Sequence, residues 1–412
     1  MLVTHLAGPF GAKAAQRGEA FAMLDTMARL PRRIASELSA KLRSQEVAAV
    51  VAGIETGLTK RRRESKMESG AFRGMHVVVY RGFVADDIAK VRVRVTETPE
   101  LPGDSRIPYW DVAQSNLRRH SALSIVGVEV ELRIGKHTAT EVTDDHGFAN
   151  FALSVPSLKV GWHDAHATTT PIDGGESATG AGRVVKPSLR APFLVISDID
   201  DTILLTGLTE GVSMVTRTLL REANQRRAIP GMSSLYRGLV RGVANQAGKR
   251  KPEPTFFYVS TGSWSFYPLL EQFIQLRAFP QGPMFLTDWG PTERYLRRSG
   301  AEHKRTAIRR LFEAYPGMRF VLIGDSGQRD ALTYEEMAKE FPDRVALIMI
   351  RQVGDDDEDR NTEVHQRAIA LRAEGIPLYL VANATQAAEL AQKLKLCDAE
   401  TVREVRTESG KR

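Results

Sequence analysis

FLVISDIDDTILLTG (residues 193–207) begins as an uninterrupted apolar run and then sets three carboxylates, Asp198, Asp200 and Asp201, within four positions. A run without alternation reads as a strand covered on both faces, the pattern of a parallel sheet. Like charges that close repel one another, and packing gains nothing from them. Either a cation belongs beside them or they sit on a solvated loop.

The same texture recurs downstream. FFYVST (256–261), GPMFLTD (282–288), RFVLIGD (319–325) and RVALIMI (344–350) are continuous apolar runs. Between them Leu269, Leu270, Phe273 and Ile274, then Ile308, Leu311, Phe312 and Tyr315, fall at helical spacing. Strands alternating with helices predict an α/β fold, a doubly wound parallel sheet over residues 191–395. In such sheets ligands bind beyond the carboxyl ends of the strands, so those ends are where a site is sought.

The first strand end delivers Asp198 and Asp200, two apart and so facing the same way, with Thr202 after them. The second ends in Ser260, Thr261 and Gly262, the fourth in Gly324 and Asp325, with Asp330 closing GDSGQRD. Lys304 is expected at the front of the helix leading into that fourth strand. An all-oxygen set suits Mg²⁺ better than a softer metal. Hydroxyls and free amides at a helix start attract phosphate, and Lys304 adds a fixed positive charge. Carboxylate nucleophile, cation and phosphate cradle together point to phosphoryl transfer. A DxD string alone also occurs in metal sites for nucleotide sugars, but those need neither the lysine nor GDxxxxD.

DxDxT, a following Ser, a lysine and GDxxxxD in this order resemble the four motifs of the haloacid dehalogenase superfamily. SDIDDTI, FFYVSTGSWSFYPLLEQFI, RFVLIGDSGQRDALTYEEMAKEFPDRV and the PG at 230–231 further resemble the catalytic domain of the actin-patch phosphatidate phosphatase family, over roughly 190–355. YRGF (80–83), TDDHGF (143–148) and GWH (161–163) resemble the β-rich region upstream of it. One departure is STGSW, where the family pattern has proline before the tryptophan.

The resemblance implies a Mg²⁺-dependent hydrolase converting phosphatidate to diacylglycerol and phosphate through an aspartyl-phosphate. Asp198 would be the nucleophile and Asp200 the acid and base. Asp198, the Asp200 carbonyl, Asp325 and Asp330 would serve the metal. Lys304 would steady the charge, Ser260, Thr261 and Gly262 would hold the phosphoryl group, and Thr202 would buttress the first loop. The same chemistry on a soluble monoester or phosphoprotein, or an adaptor with an idle domain, are the alternatives. Trp264, Phe266 and Tyr267 would line an apolar mouth or pack in the core, and the short segment between the first two motifs leaves room for a small cap at most.

Residues 1–72 read as a helical segment, with Ile34, Leu38 and Leu42 in step, ending in a basic linker, KRRR at 60–63. Residues 73–190 alternate with period two and predict a β-sandwich, with a hairpin over 138–156 turning at Asp144–Gly147 and a loop at 170–182. Residues 396–412 read as a tail, and Asp355–Asp359 as a solvated loop. With 57 Lys+Arg against 50 Asp+Glu, the net charge of +7 gives only a weak field, so no nucleic acid is expected; KRRR would favour peripheral contact with an anionic membrane surface. The single cysteine, Cys397, forbids an intrachain disulfide and fits a reducing compartment. No run approaches the roughly 20 apolar residues of a membrane span, and the expected location is cytoplasmic. A partner for the β-rich region is not specified by its sequence.

Overall fold

In the computed structural model the described residues are 74–98, 123–172, 175–204, 228–244, 248–249, 251–287, 293–327, 329–353 and 358–410. The expected N-terminal helices, the KRRR run, the segment between Leu204 and Ala228 that would hold a cap, and the start of Asp355–Asp359 lie outside them. Arg73–Arg412 form one compact unit.

Its centre is a six-stranded sheet: β9 (Leu194–Asp198), β10 (Phe256–Ser263), β11 (Met284–Thr287), β12 (Phe320–Asp325), β13 (Val345–Arg351) and β14 (Leu378–Val381). The order is β11-β10-β9-β12-β13-β14 and every pairing is parallel. The chain builds outward from β9 on one side, then crosses to the other side at β12. That reversal opens a crevice at the carboxyl ends of β9, β10 and β12.

Apolar runs without alternation form here because both faces are covered. Val195, Tyr258, Ile323 and Met349 pack in one core with helices α1 (Met232–Arg241), α2 (Tyr267–Leu276), α6 (Ala384–Lys393) and α7 (Ala399–Ser409). Leu194, Ile196, Phe257, Leu322 and Ile348 pack in another with α3 (Glu293–Ala314), α4 (Asp330–Glu340) and α5 (Glu358–Ala373). Within residues 396–412, expected to be a tail, Ala399–Ser409 form helix α7. Helix α7 lies so close to α1 that a Cβ on Gly238 would stand 2.0 Å from Thr401 Cγ2, and Arg241 pairs with Glu404 at 2.9 Å.

The β-rich region comprises β1 (Met75–Val79), β2 (Gly82–Ala85), β3 (Ile88–Glu97), β4 (Glu129–Ile134), β5 (His137–Val142), β6 (Phe148–Ser154), β7 (Gly161–Thr169) and β8 (Thr179–Lys186). These hydrogen-bond into one continuous mixed sheet, β1-β3-β2-β8-β7-β4-β5 with β6 on β3. The hairpin expected over 138–156 does not form. Asp144 does make the turn, accepting from Gly147 N through its carbonyl and from His146 N and Phe148 N through Oδ1 (all 2.9 Å). The strands that leave it part company, β5 pairing with β4 and β6 with β3. Gly180 and Gly182, expected in a loop, lie in β8, because β1 crosses its face: a Cβ on either would stand 2.6 and 2.5 Å from the Val77 and Val79 carbonyls.

Among the described residues no helix is long and apolar enough to cross a membrane.

Candidate active site

Strand register brings the acidic residues together. Asp198 ends β9 opposite Val259 of β10, Ser197 lies opposite Ile323 of β12, and Asp325 pairs with Arg351 of β13. Asp198 and Asp325 are fully buried. Asp330, at the first turn of α4, turns back toward the sheet, and its Oδ2 accepts from Asp325 N at 3.3 Å. A Cβ on Gly324 would stand 2.6 Å from that same oxygen, so the GD pair of the motif needs its glycine for close approach rather than for a special backbone angle.

Lys304 reaches this cluster from within α3 rather than from its front, since the helix begins at Glu293. Its Nζ lies 2.6 Å from both Asp198 Oδ1 and Asp330 Oδ1. Thr202 Oγ1 donates to Asp198 Oδ2 at 3.2 Å. Ser260 Oγ donates to Asp200 Oδ2 at 2.8 Å and accepts from Gly262 N at 2.9 Å, while the Thr261 and Gly262 carbonyls accept from Thr287 Oγ1. All nine residues singled out in the sequence thus gather at the carboxyl ends of β9, β10 and β12. Asp200 alone among the aspartates stands aside from the buried carboxylate cluster, with Ser260.

Burial pushes the Asp198 carboxyl well above the usual carboxylate range; Lys304 opposes this, and Asp330, Asp325 and Asp200 add to it. Asp325 is raised in the same way, by burial and then by Asp330. Burial pulls Lys304 down, but Asp198, Asp330 and Asp325 outweigh it and hold the ammonium above its usual value. The lysine stays charged.

The donor set fits a hard divalent cation. Asp198, Asp325 and Asp330 each offer a carboxylate oxygen within 4.8 Å of the others, and among the described residues no softer ligand joins them. Ionised, three carboxylates against one ammonium leave two negative charges buried, which a single divalent ion neutralises.

Three features were not foreseen in the sequence. Asp201 is buried and adopts φ 51°, a left-handed conformation uncommon for a non-glycine residue. Its carbonyl accepts from Arg351 Nε at 2.9 Å and from Nη2. Arg351 therefore ties the first loop to β13. Ser197 Oγ donates to the Asp198 carbonyl at 2.6 Å and stands 2.7 Å from the Tyr236 hydroxyl. Ser263, in place of the family's proline, has φ −73° and its side chain accepts from Ser265 N. That φ is the one proline would impose, so serine holds here a backbone angle that proline could share. Trp264 and Tyr267 are buried and belong to the core rather than to a mouth.

Gly324→Ala is expected to displace Asp330 from Lys304. The variant should lose about 1–3 kcal/mol of stability by overpacking and about 10²-fold in kcat through misplacement of the cluster, read by denaturant titration and steady-state kinetics.

Residues 193–352 match the family described as phosphatidate phosphatase APP1, catalytic domain. The chain is 32% identical over 185 residues to phosphatidate phosphatase APP1 of Saccharomyces cerevisiae, covering 44% of this chain and 30% of that protein. It is 30% identical over 163 residues to the uncharacterized protein C29B5.04c of Schizosaccharomyces pombe, covering 39% and 25%. The chain thus spans less than a third of the length of these curated relatives. Among solved structures, a carbohydrate acetylesterase from Xanthomonas citri aligns over 81% of this chain and 71% of its own at 8% identity and a TM-score of 0.27, a likeness too slight to carry any argument. Aspartates, lysine and serine alike fall inside the segment, residues 193–352, that is similar to the phosphatidate phosphatase APP1 catalytic domain.

Proposed function

We propose that this chain is a Mg²⁺-dependent phosphatidate phosphatase with a haloacid dehalogenase-like, doubly wound catalytic fold. The observation that carries the reading is the buried group of Asp198, Asp325 and Asp330, with Lys304 2.6 Å from Asp198 and from Asp330, inside the family match.

Asp198 attacks phosphorus through its carboxylate, the ester P–O bond breaks, and the phosphoryl group passes to Asp198. Asp200 donates a proton to the departing alkoxide of diacylglycerol, then takes one from the water that hydrolyses the aspartyl-phosphate. Ser260 Oγ, within hydrogen-bond reach of Asp200, and the amides beyond it hold the phosphoryl oxygens. Lys304 neutralises part of the charge that gathers when a phosphate dianion meets Asp198, and Asp330 fixes the ammonium in place. Mg²⁺, when held by Asp198, Asp325, Asp330 and the Asp200 carbonyl, supplies the remaining positive charge and polarises the phosphoryl group. A substrate embedded in a bilayer would be reached by peripheral contact at the membrane surface.

Phosphate release from phosphatidate in mixed micelles, compared with soluble monoesters and a phosphopeptide, tests the substrate. Mg²⁺-dependent release from phosphatidate at kcat/KM at least about tenfold above the soluble compounds is expected. Preference for the soluble compounds would assign the same chemistry to another substrate, and inactivity on all of them would leave an adaptor.

A further inference from the structure

YRGF (80–83) lies far from the aspartates in sequence, yet its side chains reach into the catalytic part of the molecule. Tyr80 packs in the core that holds Trp264, Tyr267 and α2, and Phe83 packs in the opposite core against Phe257, Phe285 and Tyr315 at ring-centroid distances of 5.8, 5.7 and 6.3 Å. The Tyr315 hydroxyl donates to the Val84 carbonyl at 2.9 Å. The β-rich sheet thus closes both cores of the parallel sheet.

Its grip is concentrated on the turn that follows the phosphate cradle. Beyond Ser260 the chain runs through Gly262 into a single 3-10 turn, Trp264–Phe266, and on into α2. Trp264 lies 4.5 Å from Tyr80, centroid to centroid, with the Arg92 guanidinium 5.1 Å over its ring. Arg92 is itself held by Asn150 Oδ1 at 2.8 Å. Arg94 Nη1 donates to Ser265 Oγ at 3.4 Å, Arg81 N donates to the Tyr267 hydroxyl at 3.0 Å, and Arg81 Nη2 pairs with Glu271 at 2.8 Å. Trp264, Ser265, Tyr267 and Glu271 are each held from residues 80–94. Offset and edge-on aromatic contacts and a cation over a ring are directional, so they fix where the turn starts as well as burying it.

We infer that Tyr80 and Arg92 are positioning residues for the Ser260–Gly262 loop: they anchor Trp264, two residues past Gly262, and so set the place from which Ser260 meets Asp200 and the phosphoryl group. The β-rich region is part of the catalytic machinery's frame rather than a separable module. The activity arm of this inference rests on the proposed phosphatase function; the structural arm does not.

The test uses the full chain with Tyr80→Leu, Tyr80→Phe and Arg92→Met. Amide hydrogen exchange is followed over residues 257–267, with 320–325 of β12 as the internal reference, and kcat and KM are measured on phosphatidate micelles with Mg²⁺. Tyr80→Leu should speed exchange over 260–266 about tenfold or more while β12 stays protected, and lower kcat about 10- to 100-fold with KM within about twofold. Tyr80→Phe keeps the ring and should return both readouts to within about threefold of the unaltered chain. Arg92→Met, which removes the cation over Trp264 together with the Asn150 hydrogen bond and serves if Tyr80→Leu does not fold, should shift both in the same direction by about threefold. Unchanged exchange over 260–266, or exchange rising equally in β12, would overturn the inference, as would a rise in KM with kcat unmoved. The expected exchange pattern in a chain that hydrolyses no phosphate ester would support the clamp and sink the proposed function.

Discussion

Lys304→Met is expected to remove about 10²–10³-fold from kcat and about 3–5 kcal/mol from stability at neutral pH. The ammonium is almost wholly buried and lies 2.6 Å from Asp198 and Asp330. Methionine fills a similar volume, so the loss comes from charge: Asp198 and Asp330 lose the ammonium that stands 2.6 Å from each. Two signatures separate this from a packing defect. Acidification should shrink the stability loss, because protonating Asp198 and Asp325, whose carboxyls burial has raised, removes the repulsion. Saturating Mg²⁺ should also recover part of the stability but little of kcat, since one ion cannot occupy both positions. Denaturant titration at several pH values, with and without Mg²⁺, reads both. A variant as stable as the unaltered chain at every pH would show that the ammonium is not the counter-charge of this cluster.

Asp198→Asn is expected to lower turnover by about 10⁴-fold or more, the scale on which loss of a nucleophile is felt, while the fold persists. An amide can present its oxygen to Lys304 and its N–H to Thr202 Oγ1, so both neighbours keep a partner. The stability effect has a definite sign. Burial raises the folded Asp198 and Asp325 carboxyls above their ordinary value of 3.8, so the metal-free folded chain holds these protons more tightly than the unfolded chain. Their contribution is complete below about pH 3.8 and is lost as pH rises through the raised folded values. Without divalent cations the unaltered chain should therefore lose stability relative to Asp198→Asn as pH rises from 4 toward neutrality. Added Mg²⁺ should reverse the ranking, because it binds the ionised carboxylates and stabilises only the folded state. Thermal denaturation of the two proteins across pH, with Mg²⁺ or chelator, checks it.

How much of this was legible depends on how local each signal is. Leu194, Val195 and Ile196 pack alternately into two cores, and a run with no polar face can mean little else. The aspartates follow because strand ends in such a sheet converge. Long-range pairing is another matter. The Asp144 turn is local and forms, but whether β5 then pairs with β6 is settled by β3 and β4, which compete for those edges. Gly180 and Gly182 read as loop residues because composition does not reveal that β1 passes so close that a Cβ on either would stand 2.6 and 2.5 Å from its carbonyls. Lys304 was expected at a helix start because the apolar stripe begins only at Ala307 and Ile308, although α3 begins fourteen residues before Ala307, at Glu293. Helix α7 buries only Thr401, Val402 and Val405, too short a stripe to stand out from a charged tail. Arg351 acts on a backbone carbonyl, and no side-chain pattern announces such a contact.

The central claim is that Asp198 takes the phosphoryl group, and trapping it is the most direct measurement. The chain is mixed with phosphatidate and Mg²⁺, quenched in acid within a turnover, and digested, and the phosphorylated or reductively trapped peptide is sequenced by mass spectrometry. Modification of Asp198, absent when Mg²⁺ is chelated, is the predicted result. A chain that releases phosphate from phosphatidate while the trapped group sits on any other residue would contradict the account.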